Sequence, residues 1–533
     1  MGDPPHMEVS IFNDVLGPVM RGPSSSHCAA ALRIGRLARD LMGGEVAEVL
    51  VEFDRSGSLP TTHDTQGSDM GLFGGLMGWE ADDERLPDSL ALFRQGGGLA
   101  RFETVDVGDP HPNTYRLTLR NARATHFLRA ISTGGGMMEV VEIDGIDVSL
   151  HGDAHVTLLE VKAAPDDLRA EVLRVDHEGS ALFVTAGRSL LAVHGRGFLP
   201  PATLAAWRKA GWIARAWNLG PVLPVPTVRS SRVPYRSCAE MLATPEAATE
   251  PLWRLAARYE MERGGLTESE VRARAVGLVR LLRRSIEQGL GGTTYADRVL
   301  GSQSPAFAQA MRSGRLIATD PLNRAILYVT ALMEVKSSMG VIVAMPTAGA
   351  CAALPGVVLA VAEERGLDDE ITAKALLASG VIGAFIATRW TFAAEVGGCQ
   401  AEGGSAAAMG AAALVDLAGG SAAQACAAAS LALQSMLGLI CDPIANRVEA
   451  PCLGKNVLAA TNALACANMA LAGFDQVIPF DEVVDAAKAV AERMPREHRC
   501  TALGGLSVTP TSLAIEKRLA AARGCGTGGC GCG

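Results

Sequence analysis

The chain has 533 residues, 48% of them hydrophobic, with 5% aromatic residues and a formal net charge of −9. That length predicts two to four domains with sizeable cores. The acidic balance and the shortage of stacking rings argue against nucleic acid or an anionic membrane as main partner. The first ten residues carry no charged-then-apolar signal pattern. Two long uncharged stretches, 340–362 and 417–441, are rich in small residues or broken by proline, and read as buried helices rather than membrane spans. A cytoplasmic protein is therefore expected. Twelve cysteines in so long a chain are no disulfide scaffold; Cys238, Cys426 and Cys466 read as core thiols.

Taken in order, residues 11–150 read as an α/β domain. A helix is predicted over 29–42, after the turn Gly22-Pro23-Ser24-Ser25-Ser26, and strands over 47–53, 116–119 and 138–143, with a glycine triplet at 134–136. Residues 151–235 change character: strands are predicted over 156–161 and 181–185, a short helix over 203–210, and a proline-rich linker over 220–234. From 247 to 515 the pattern is helical, with runs over 250–263, 268–288, 320–339, 368–388 and 482–493. Asp368 and Asp369 supply acids at the start of one of them. The end of the chain, 521–533, is a Gly/Cys tail too poor in apolar side chains for a core. The expected fold class is α+β and multidomain: an α/β domain, a small degenerate middle segment, and an all-α domain whose small-residue helices suggest a homodimer.

Three cysteines in the last third stand in distinctive frames: Cys399 in Glu-Val-Gly-Gly-Cys-Gln-Ala-Glu, Cys441 in Cys-Asp-Pro-Ile-Ala-Asn, and Cys452 in Val-Glu-Ala-Pro-Cys. Three thiolates can hold a [4Fe–4S] cube by three corners and leave one iron open as a Lewis acid. By spacing alone they read better as unrelated core thiols, and a zinc ribbon is disfavoured because no Cys-x-x-Cys occurs among them. The frames shift the balance: Gly397 and Gly398 allow close backbone approach, and Pro443 and Pro451 fix turns beside two of the thiols.

With Pro-Thr-Ala-Gly-Ala-Cys (346–351), Val-Ile-Pro-Phe-Asp-Glu-Val (477–483) and Thr-Ala-Leu-Gly-Gly (501–505), these frames resemble the α region of iron–sulfur-dependent L-serine dehydratases. Gly-Pro-Ser-Ser-Ser-His (22–27), His-Pro-Asn-Thr (111–114) and the 134–136 triplet resemble that family's β region. The resemblance implies a substrate-binding first domain and a catalytic helical domain. It also implies a [4Fe–4S] cluster on Cys399, Cys441 and Cys452, and elimination of water from a small hydroxy amino acid, with L-serine giving pyruvate and ammonia. Ser24, Ser25 and Ser26, on a turn before a helix, suit a substrate carboxylate, and Ser25 and His27 are candidate catalytic groups. His111 and Asn113 are further candidate substrate contacts. Thr347, Ala348 and Gly349 line the expected pocket, Cys351 its wall, and Lys455 and Asn456 are candidates to contact substrate or cluster.

Three departures from the family pattern fall near these positions. The family's histidine after Gly-Ser-Leu falls on Gln66, which cannot transfer a proton; His63 is the candidate to replace it. Cys28 stands for the usual threonine and Lys336 for the usual asparagine. They keep open a different β-hydroxy or β-substituted acid as substrate, or a non-catalytic cluster-bearing sensor. Cys525, Cys530 and Cys532 on the tail are candidates to reach the open iron.

Overall fold

The structure, a computed structural model, describes residues 8–524 apart from 65, 163–165, 176, 186–187, 229–231 and 296–297. The tail cysteines Cys525, Cys530 and Cys532 lie outside the described residues. The chain divides into two compact units, 18–232 with 263–265, and 8–17 with 233–262 and the residues from 266 onward.

The first unit is built on a six-stranded sheet. Its order is Leu99–Val105, Glu48–Asp54, Thr114–Arg120, Thr125–Gly134, Met137–Ile143, Ile146–Leu150. The first pair is parallel and the other neighbours antiparallel. Alternation sets its inner face: Val49, Val51 and Phe53 are buried, and Val49 and Val51 lie opposite Leu119 and Leu117. Helices Ala30–Leu41 and Ser68–Leu76 cross at backbone contact. A Cβ on Gly71 would fall 2.1 Å from the Cys28 carbonyl oxygen, and one on Gly75 2.1 Å from that of Leu32, so only glycine permits the crossing.

Residues 151–219, expected to be degenerate, form a four-stranded antiparallel sheet in the order Ile213–Leu219, His155–Val161, Arg188–Gly195, Gly179–Thr185. One face packs with Leu168, Leu204 and Trp207 around Leu159. The other sends Val156, Leu158, Leu190 and Leu219 into the core of the six-stranded sheet. Burial on both faces explains why the run Val-Thr-Leu-Leu-Glu-Val showed little alternation.

The second unit is a helical bundle. Helices Asp369–Arg389, Ser405–Leu417, Ala422–Gln434 and Cys452–Leu471 form its centre. Ser405–Leu417 buries every residue but Asp416, and Gly410 brings Ala463 close. Side-chain caps fix helix starts: Asp368 accepts from the Ile371 N–H at 2.9 Å, and Ser421 with Gln424 forms a capping box. Helix Asp369–Arg389 is long and apolar enough to cross a membrane, but 78% of its apolar window is buried inside the protein, as in a core helix. Residues 11–17, expected in the α/β domain, belong to this bundle. Ile11 and Leu16 press against Gly380 and Val15 against Gly383, while Glu260 accepts from the Ser10 hydroxyl at 2.6 Å and the Ile11 N–H at 2.7 Å.

Candidate active site

In the first unit Ser25–Ala29 is a π-helical turn, a geometry found disproportionately at functional sites. The Thr62 hydroxyl gives its proton to the Ser58 carbonyl at 2.7 Å, so toward His27 Nε2, 3.0 Å away, it acts as acceptor. That assigns the neutral Nε2–H tautomer, whose Nδ1 accepts from the Ser24 hydroxyl at 2.9 Å. Burial pushes His27 down to about 4. The same network takes in the other candidates: the Ser26 carbonyl accepts from Ser132, the Asn113 carbonyl from the Ser132 N–H, His111 Nδ1 from the Asn113 N–H, and Asn113 Oδ1 from Ser58. Ser25 is buried within the turn. His63 differs. Its Nδ1 meets Asp69 at 2.8 Å and its ring stacks on Phe102. Burial alone would lower its pKa, but the hydrogen bond and charge of Asp69 raise it.

In the second unit the three framed thiols are all buried. Cys399 follows Gly398, whose φ of +67° and whose would-be Cβ, 2.9 Å from the Leu439 carbonyl, demand glycine. Gln400, fully buried, donates to the Ala487 carbonyl and accepts from the Gly438 N–H, fixing the turn. Cys441 is anchored by its N–H to the His498 carbonyl at 2.9 Å, and Asp442 accepts from Leu506 N–H at 3.0 Å. The segment 496–512 is thereby clamped over the Cys441 loop. Cys452 begins helix Cys452–Leu471, and Asn456 ties it to the 347–353 loop: its amide donates to the Gly349 and Cys452 carbonyls and accepts from Ala352 and Ala353.

The Cys441 thiol hydrogen-bonds to Cys399 and Cys500, which with burial raises its pKa far above the ordinary range; burial pushes Cys452 up to about 12. Lys455 Nζ lies 3.7 Å from Cys399 Sγ and 2.5 Å from Asp442. Burial would lower its pKa, but Cys399 and Asp442 raise it. Lys336, wholly buried, donates to the Val448 carbonyl and bears electrostatically on Cys452 and Cys351. Among the described residues, four of the seven non-glycine positions with positive φ lie here, Ala445, Asn446, Cys500 and Ala502, and such strain collects at functional sites.

Two residues were missed by the sequence reading. Cys500 joins Cys399 and Cys441; its neighbour Thr-Ala-Leu-Gly-Gly was the available signal. Glu402, at the end of the Cys399 frame, accepts from the Thr347 hydroxyl at 2.8 Å, and burial pushes it up to about 7. The departures also find places. Cys28 packs beside Gly67 with its thiol pushed up to about 12, a core thiol rather than a substrate contact. Gln66 is half-buried, its N–H on the Thr62 carbonyl.

Strained backbone, desolvated thiols and the Lys455 ammonium beside Cys399 sulfur mark this region as a candidate functional site. The family model described as "Serine dehydratase alpha chain" matches residues 246–507. The probable L-serine dehydratase alpha chain of Bacillus subtilis is 36% identical over 260 residues, 49% of this chain and 87% of the relative. The probable beta chain of the same organism is 39% identical over 152 residues, 28% of this chain and 67% of the relative. The L-serine dehydratase of Mycobacterium bovis is 28% identical over 523 residues, covering 96% of this chain and 100% of its own length. The chain belongs to the serine dehydratase family and is a dehydratase, a lyase.

Proposed function

We propose that the chain eliminates water from L-serine, the aminoacrylate so formed hydrolysing to pyruvate and ammonia. The observation that carries this reading is the gathering of Cys399, Cys441 and Cys452 into one buried region of the bundle, with Lys455 against sulfur. Among the described residues no three His, Cys, Asp or Glu side chains converge on one point as a single metal ion needs. A cube asks for thiolates at separate corners instead, and three buried thiols on three elements, with two ammonium groups to offset thiolate charge, suit it. Cys399, Cys441 and Cys452 would hold a [4Fe–4S] cluster, which would supply the Lewis acidity that makes hydroxide a better leaving group.

The protein's own residues divide the remaining work. His63, oriented by Asp69 and keeping its second ring nitrogen for chemistry, takes the α-proton. His27, neutral and bonded on both nitrogens, holds Ser24 and with Ser25 and Ser26 shapes a turn for the substrate carboxylate. Asn456 positions the Gly349 loop against Cys452. The enzyme works in the cytoplasm, where thiols stay reduced.

Anaerobic purification with iron, sulfide and absorption measurements, followed by L-serine and assay of 2-oxo acid, tests this reading. A cluster with pyruvate formation supports it. A cluster without pyruvate transfers the proposal to another β-hydroxy acid, with Lys336 and Gln66 the first suspects. A protein that takes up no cluster overturns the reading.

A further inference from the structure

Around the 347–351 loop of the second unit almost every residue is sealed: Ala348, Ala350, Cys351, Ala401 and Gly404 are buried. Thr347, Gly349 and Glu402 alone in this group keep partial exposure. The Glu402 carboxylate is held at this loop by hydrogen bonding. Oε1 takes the Thr347 hydroxyl at 2.8 Å, and that hydroxyl in turn accepts from the Ala350 N–H at 3.1 Å. The carboxylate lies directly over Gly349: a Cβ there would come within 2.8 Å of Oε1 and 2.9 Å of Oε2. No hydrogen bond from a described residue reaches Oε2.

The nearby cations Lys336 and Lys455 bear on Glu402 electrostatically but donate their hydrogen bonds elsewhere, Lys455 to Asp442 and the Ile440 carbonyl, Lys336 to the Val448 carbonyl. Glu402 keeps acceptor capacity to spare at Oε2, and the like charge of Glu395 adds to the cost of its own charge. Desolvation by the surrounding protein makes its charge costly when nothing faces it, and a cation beside it reverses that cost. An amino acid carries such a cation at its α-carbon.

Resting on the function proposed above, we infer that the Glu402 carboxylate, held by Thr347 over Gly349, receives the α-ammonium group of the substrate and so selects amino acids over their deamino analogues. The absence of a side chain at Gly349 lets the Glu402 carboxylate itself pack against the loop backbone, which fixes where its second oxygen is presented.

The test compares L-alanine and propanoate, unreactive ligands with and without the ammonium, binding to cluster-loaded enzyme by anaerobic calorimetry, alongside the KM for L-serine. A charge-assisted hydrogen bond predicts that the wild type prefers L-alanine by about 10- to 100-fold. Glu402→Gln should bring that preference within about twofold and raise the KM for serine by a similar factor, with kcat changing less. Thr347→Val keeps the carboxylate but releases it, and should lose part of the preference; it serves where Glu402→Gln takes up no cluster. A preference unchanged in either loaded variant overturns the inference, as does a large fall in kcat at constant KM, which marks a proton-transfer group instead. Wild-type enzyme that binds L-alanine over propanoate yet makes no pyruvate from serine would leave this inference standing while the proposed reaction fails.

Discussion

The His27 network of the first unit and the thiol region of the second solve opposite problems. Around His27 the hydrogen bonds run between neutral partners: the ring is bonded on both nitrogens, and Ser58 with Asn113 and Ser132 with the Ser26 carbonyl extend the network. Such a network is low in charge and rigid, and it favours one neutral tautomer. Around Cys441 thiols press on one another, two ammonium groups lie within a bundle of alanines, and the backbone adopts left-handed turns at Ala445, Asn446, Cys500 and Ala502. The first arrangement suits recognition by fixed geometry. The second stores electrostatic and conformational cost, which the fold must offset elsewhere, and suits chemistry.

The comparison breaks most visibly at the thiols. Cys441→Ser should abolish cluster absorbance and lower kcat at least about 1,000-fold, because a hydroxyl does not replace a thiolate as iron ligand. Cys500→Ser removes a thiol that touches Cys441 without belonging to the three framed cysteines. It should retain cluster and activity within about tenfold. A Cys500→Ser protein without cluster absorbance would make Cys500 a ligand and redraw the set.

Next in size is Asn456→Ala. It strips one amide of four hydrogen bonds, to Gly349, Cys452, Ala352 and Ala353, in a buried position. Unmet buried carbonyl and N–H groups cost about 1–3 kcal/mol apiece where water does not reach them. A loss of about 2–4 kcal/mol in denaturant unfolding is expected, and a stability within about 0.5 kcal/mol of the parent would show that the two segments hold together without it.

What was legible from the sequence follows the same division. Helices with one clear period or capping acids were read nearly to their ends: 268–288 against Glu268–Leu290, 368–388 against Asp369–Arg389. Strand 47–53 was legible because one face of it is buried. The strands Leu99–Val105 and Thr125–Gly134 were not read: the first lies at the sheet edge with no buried residue and an exposed Leu99, and the second buries His126 and Ser132 while Phe127 and Ile131 lie on its other face, so apolar and polar residues do not alternate with burial. The helical character of 247–515 was clear, but residues 11–17 gave no sign of packing with it, since the partner glycines lie over 360 residues away. Among site residues, motif frames singled out Cys399, Cys441 and Cys452. Glu402 stood inside the Cys399 frame and Cys500 beside the 501–505 motif, yet both became visible only when folding placed them against Thr347 and Cys441. A frame does not say which of its residues acts through a contact across the bundle.

The two histidines of the first unit sharpen the comparison at its smallest scale. Burial among neutral partners holds His27 at about 4, below the ordinary imidazole value of about 6.5. Between those two values the unfolded chain binds the extra proton, so His27 contributes stability that is present above about pH 6.5 and is lost as the pH falls toward 4. His63 is shifted the other way by Asp69, so its contribution is present below its unfolded value and fades as the pH rises through the folded one. His63 is also partly exposed, and solvent screening makes its effect the lesser. Glu402 and Asp416, both raised to about 7 by burial, contribute the opposite drift. In denaturant titrations from pH 4 to 8 the His27 contribution should therefore be read as an acid limb, a loss of stability toward pH 4, in the difference between the wild type and His27→Gln. That substitution should leave the alkaline side alone, and Asp69→Asn should flatten only a shallow alkaline decline. A difference without an acid limb would assign the proton uptake to another group and remove the tautomer argument for the Ser24–His27–Thr62 network.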